Sequence, residues 1–147
     1  MALDREAIAA AIVARVQAAC PIIPFVTRSP VEFATQQATM QPVALVLCGE
    51  DKAQREQRKP PVWTLTVQVN VCAKNQTSPA SPDTQLNALA LQVEAAFERQ
   101  ATEATADKWQ TTLGGLVERC WVTDVLRRQG QDEGEVVIML EILAVGP

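Results

Sequence analysis

The chain has 147 residues, 48% hydrophobic and 20% charged, which is the composition of a single globular domain able to bury a core without metal or disulfide staples. A formal net charge of −4 and a pI of about 4.8 argue against a duplex-DNA binder that works by neutralising phosphates. Histidine and tyrosine are absent, so Ser-His-Asp and Cys-His nucleophile activation, histidine-containing zinc sites and phenolic acids are excluded.

Asp4 to Cys20 reads as a helix. Asp4 stands as N-cap, Glu6 lies in the first turn, and Ile8, Ile12 and Val16 repeat every fourth residue until Pro21 stops the run. Asp4, Arg5 and Glu6, with Arg15 further on, make this neither a signal peptide nor a membrane span, so the expected location is a cytosol or a particle assembled there. The stretch from Pro21 to Pro42 holds four prolines, and 25–28 and 31–34 are expected as short extended pieces on a sheet edge. Val43 to Cys48 is an unbroken apolar run, expected as a strand covered on both faces.

Residues 49–61 are expected as a long loop that gathers Glu50, Asp51, Lys52, Arg55, Glu56, Arg58 and Lys59 and closes on two prolines. It reads as a docking loop or, equally, as a solvated hairpin tip. Trp63 to Val71 then alternates with period two. Trp63, Leu65, Val67, Val69 and Val71 point one way, and Thr64, Thr66, Gln68 and Asn70 point the other. The second face is polar yet uncharged, and such a face is easier to cover with another subunit than a Lys/Glu face would be. It is the candidate subunit contact.

A polar Pro/Ser linker, 75–83, leads into a second helix. Ser81 is the expected N-cap with Pro82 at the first helical position, and Leu86, Leu89, Ala90, Val93, Ala96 and Phe97 form an apolar stripe. Residues 100–115 are ambiguous. Leu116 to Arg128 reads as a strand, with Arg119, Thr123 and Arg127 expected on one side, and 130–134 as a turn. Glu135 to Val145 is the longest apolar run, expected as a central strand paired with its predecessor in a hairpin. The order predicts an α+β fold: two helices packed on one face of a mostly antiparallel, mixed β-sheet, a two-layer sandwich spanning residues 1–147 as one domain.

Chemistry is sparse. Glu50-Asp51 and Asp132-Glu133 are acid pairs on expected loops, and Arg127-Arg128 beside the turn could meet an anion or a partner carboxylate. Arg127, Arg128, Asp132 and Glu133 are therefore a candidate turn contact. The chain has no phosphate-binding glycine loop and no hydrolase or zinc-protease motif. Cys20, Cys48, Cys72 and Cys120 form no CxxC pair and read as reduced core thiols. The tryptophans, Trp63, Trp109 and Trp121, read as core or interface anchors. No catalytic residue, cofactor or metal site is expected.

The layout resembles the tail terminator proteins of long-tailed bacteriophages, the group of the lambda minor tail protein U. The likeness runs through DREAIAAAIVARVQAA, PVALVLCGE, a charged loop, WTLTVQVNVCA, a polar linker, LNALALQVEAAFER, GGLVERCWVTDVLRR and GQDEGEVVIMLEILAV. It is one of element order and pattern. It implies a virion protein assembled in the host cytoplasm into a hexameric ring on the head-proximal end of the tail tube. Such a ring would contact the tube protein and a head-neck connector or stopper, with DNA passing through its lumen without specific binding and no membrane involved. Mild acidity suits a lumen that must not retard a polyanion. The charged loop and the turn would be docking elements, and Thr64, Thr66, Gln68 and Asn70 a subunit contact or lumen wall. Other neck or completion proteins, a small ligand-binding α+β oligomer and a histidine-free enzyme are the competing classes.

Overall fold

The computed structural model describes residues 3–39, 42–74, 82–103, 107–129 and 133–145. They form α1 (Arg5–Ala19), β1 (Phe25–Thr27), α2 (Pro30–Thr39), β2 (Val43–Gln54), β3 (Val62–Lys74), α3 (Pro82–Ala96), β4 (Arg119–Gln129) and β5 (Glu133–Val145). The five strands lie in the order β1-β2-β3-β5-β4. Only β1 and β2 run parallel; the remaining pairs are antiparallel, which gives the mixed, mostly antiparallel α+β sheet expected.

The alternation in β3 and β5 divides the sheet into two unlike faces. Leu65, Val67, Val69 and Val71 stand beside Ile142, Leu140, Ile138 and Val136, all buried. Ile8, Ile12 and Val16 of α1 and Leu86, Leu89, Val93 and Phe97 near α3 close over them in one apolar cluster. The Asp4 carboxylate accepts a hydrogen bond from the Ala7 amide at 2.9 Å, capping α1 as expected. At the other end the Cys20 amide donates to the Val16 carbonyl before Pro21 ends the helix. Burial pushes the Cys20 thiol up to about 11 and the Cys120 thiol up to about 12, so both are inert packing groups. All four cysteines are free, but Cys48 is exposed rather than in the core.

The 31–34 expectation is corrected. These residues lie in a third helix, α2, not in an extended edge piece. Ser29 Oγ accepts from the Glu32 amide at 3.3 Å, and Pro30 occupies the first helical position. Ser29-Pro30-Val31-Glu32 is thus a Ser-x-x-Glu capping sequence. Thr27 Oγ1 donates to the Glu32 carboxylate at 3.0 Å and accepts from the Ser29 amide at 3.0 Å, tying β1 to the start of α2. Gln37 of α2 donates to Cys72 Sγ at 3.5 Å, on the sheet face opposite Val71. Hence α2 covers the side of the sheet that α1 and α3 leave open. Val43 and Leu45 face that side, Ala44 and Val46 the other, and all four are buried. The unbroken apolar run is covered on both faces, as its sequence required.

Two further boundaries move. β2 continues to Gln54 through a bulge between Cys48 and Asp51, so the charged segment is the distal half of a long β2–β3 hairpin rather than a 49–61 loop. β4 begins at Arg119, not Leu116, after Leu113, Gly114 and Gly115 take positive φ values of 50°, 71° and 92°. Only the two glycines adopt such values without steric cost. The 130–132 turn and the Ser81 cap lie outside the described residues.

Removing the α2 cap tests this account: Ser29→Ala should lower stability by about 1 kcal/mol, read as a shift of the urea midpoint at unchanged slope. An unchanged midpoint would contradict the cap.

Candidate assembly surfaces

The charged segment and the start of α1 form one cluster. Arg5 Nε pairs with Asp51 at 2.5 Å while its guanidinium lies 4.9 Å from the centre of the Trp63 ring. Arg28 grips Glu6 with two hydrogen bonds of 2.7 and 3.1 Å and holds the Glu6 carboxyl below its ordinary range. Asp51 is therefore a fastener between hairpin and helix, not a free docking group. Glu50 and Lys52 lie 3.9 Å apart on the exposed strand, and Lys59 pairs with Glu56 at 2.7 Å across the tip. Arg55 and Arg58 are exposed and make no ion pair among the described residues, and Arg58 has a φ of 63°. Of the seven candidate docking residues, these two are the most available to a partner.

Thr64, Thr66, Gln68 and Asn70 share the outer face of the sheet and are all half-buried. Their cross-strand neighbours on β5 are Leu143, Glu141, Met139 and Val137, and on β2 Lys52 faces Thr64, Leu47 faces Gln68 and Leu45 faces Asn70. The neutral strip therefore runs down the middle of a face whose charges sit mainly on the neighbouring strands. Asn70 is committed internally: its amide donates to Glu135 at 2.8 Å. Trp121, half-buried, lies on this same face opposite Glu141. Beyond α2, no described element covers the face.

Arg127 and Arg128 do not act together. A bulge between Val122 and Asp124 makes Thr123 an extra residue, and it reverses the facing of everything after it. Arg119, Trp121, Asp124, Leu126 and Arg128 face outward, whereas Arg127 turns to the helix side and hydrogen-bonds Asn87 of α3. The expected Arg119-Thr123-Arg127 side is corrected accordingly. Asp132 lies outside the described residues. Glu133 belongs to β5, where its backbone pairs with Lys74.

Two features lay outside the sequence reading. The first is Glu103, whose side chain is only 4% exposed. Its carboxylate accepts from the hydroxyl and amide of Thr112, the Thr111 hydroxyl at 2.7 Å and the Gln100 amide at 2.9 Å, and lies 3.6 Å from Arg15 of α1. Burial alone would raise its pKa, but the Thr112 and Thr111 hydroxyls and the two amides overcome this and lower it from 4.5 to about 2. The carboxylate thereby ties Gln100 to Thr111 and Thr112, in a stretch of sequence that carries no apolar pattern of its own. The second feature is a groove of about 600 Å³ between α3 and β4. Its apolar lining includes Leu91, Ala95, Trp109, Val122 and Val125, its rim carries Glu94 and Glu98, and Asp124 borders it from the outward-facing side of β4. Leu91 and Trp109 are 68% and 63% exposed. A leucine two residues past Leu89, on the wrong side of the helical stripe, was the available signal.

In fold the chain is similar to a chain from the virion of a native gene transfer agent particle. The TM-score is 0.59 at 12% identity, over 96% of this chain and 96% of that one. No protein-family model and no curated protein matches the chain. Among the described residues no helix is long and apolar enough to cross a membrane, and no cluster of three or more Cys, Asp or Glu is placed to hold a metal ion.

The Glu103 network predicts an acid-sensitive contribution to stability. With its folded pKa below the unfolded value, that contribution is complete above about pH 4.5 and is lost as pH falls towards about 2. Glu103→Ala should cost about 2–4 kcal/mol at pH 7 and remove this part of the acid slope in urea titrations. An acid slope identical to that of the parent chain would contradict it.

Proposed function

We propose that this chain is a structural protein of a phage-like virion, and more closely that it forms a ring which caps the head-proximal end of a tail tube. The observation that carries the reading is the end-to-end likeness in fold to a virion chain, 96% of each length. The surfaces support it. The molecule presents a half-buried neutral strip on an open sheet face, a charged hairpin beyond the core and an apolar groove with an acidic rim. These are features of a protein that covers itself with other proteins.

In this reading the chain is a homo-oligomer, a hexamer, with no catalytic activity and no cofactor. The tube protein lies on one side of the ring and a connector or stopper on the other. The outer sheet face with Thr64, Thr66, Gln68 and Asn70 is a subunit contact or the lumen wall. DNA passes without being gripped, which suits the net charge of −4. The ring sits at the tail-neck boundary of the particle after assembly in the host cytoplasm.

Tail length decides the function. Tails assembled without this chain should lose their uniform length, and adding the purified chain should restore a single length and head attachment in negative-stain images. Uniform tails in its absence would refute the terminator role.

A further inference from the structure

We infer that the groove between α3 and β4 receives the β2–β3 hairpin tip of a neighbouring copy, so that subunits join head to tail. This rests on the reading of the chain as a ring-forming subunit and names the contact that closes the ring.

The groove asks for a particular occupant. Its floor is apolar and includes the exposed Leu91 and Trp109, a surface that normally ends up covered. Its rim carries two carboxylates, Glu94 and Glu98, neither of them ion-paired among the described residues. A complementary partner must present cations together with compact apolar groups. The hairpin tip does so: Arg55 and Arg58 are exposed and without ion pairs among the described residues, beside Pro60. Lys108 already lies over the Trp109 ring, its Nζ 4.7 Å from the centre, so the seat for arginine is the apolar floor, along which a planar guanidinium can lie while donating to the Glu94 and Glu98 carboxylates.

The tip cannot fill the groove of its own molecule. Gln54 and Val62 lie level with Val145 of β5, whereas the groove residues Val122 and Val125 lie level with Leu140 and Ile138. That is about 20 Å along the strands, and three strand spacings add about 14 Å across the sheet. Donor and acceptor surfaces are thus distinct and well separated, the geometry of a heterologous contact, which generates a ring when its rotation closes. β4 is also the long edge of the sheet. Thr111 pairs with Cys120 at its start, and no described strand pairs with the rest of its outer edge. A neighbour seated in the groove would lie against that edge and shield it.

Charge reversal tests the contact in the full-length chain. Four chains are compared by native mass and sedimentation, free and on isolated tail tubes: the parent, R55E/R58E, E94K/E98K and the combination of all four substitutions. Circular dichroism confirms that each is folded. Each two-residue reversal should raise the concentration needed for half-assembly at least about tenfold, as inverting close charge pairs does. The fourfold variant, with both signs exchanged, should recover assembly. Reversals that assemble like the parent, a fourfold variant that stays dispersed, or a parent that is monomeric both free and on tubes would each overturn the proposal. So would rescue of E94K/E98K by an acidic substitution in the tube protein, which would put the tube in the groove. Counting tail lengths with the same four chains keeps the two readings apart. Assembly that follows the charge pattern without any effect on tail length leaves the contact standing and removes the terminator role. Length control by a chain whose groove is reversed does the opposite.

Discussion

The antiparallel pairing of β3 with β5 is the constraint on which the molecule depends. Thirteen residues of each strand are matched from Val62–Val145 to Lys74–Glu133. Because side chains alternate, this one register places Leu65, Val67, Val69, Val71, Val136, Ile138, Leu140 and Ile142 on a single face. A slip of one residue would expose that set and bury the Thr/Gln/Asn strip in its place. Two helices complete the layer, and the fold then has one dry face and one that still offers itself to a partner. The division between stability and assembly is made in this strand pair.

The rest of the structure adjusts what the pairing leaves. α2 covers the end of the open face where β2 is apolar on both sides, and it stops there. The bulge after Cys48 carries the hairpin past the core, where Arg5 and Asp51 fasten its base to α1. The Thr123 bulge turns Arg127 onto α3 and leaves Arg128 outside. Between α3 and β4, Glu103 ties Gln100 to Thr111 and Thr112 with hydroxyls and amides, and Trp109 stands exposed nearby in the chain. Each of these devices lies at the edge of the sheet or beyond it, where a fold can vary without losing its core. They also supply the surfaces from which assembly is argued.

Strand and helix periodicity made the core legible in sequence: Ile8, Ile12 and Val16, the alternation from Trp63, the stripe from Leu86 and the apolar run after Glu135 all lie where their spacing puts them. α2 was hidden because four prolines in 21–42 read as breakers, although Ser29-Pro30-Val31-Glu32 carries the same start signal as Ser81-Pro82-Asp83. The continuation of β2 to Gln54 was hidden by its charges. A strand that extends beyond its helices needs no apolar alternation, so none is written there. The bulge at Thr123 leaves no trace in composition, and one extra residue was enough to separate two adjacent arginines in role. Glu103 was illegible for a different reason. A buried carboxylate satisfied by local hydroxyls and amides depends on a loop shape that only tertiary structure supplies. Of the candidate contact residues, the neutral strip kept the common face its sequence assigned. The charged segment was divided between internal pairs and the free Arg55 and Arg58.

Imaging of particles that carry the chain with a small electron-dense label on its amino terminus tests the central claim most directly. The account predicts label at one end of each tail only, next to the head, in a ring of six around an open channel. Label spread along the tube, or absent from finished particles, would contradict it.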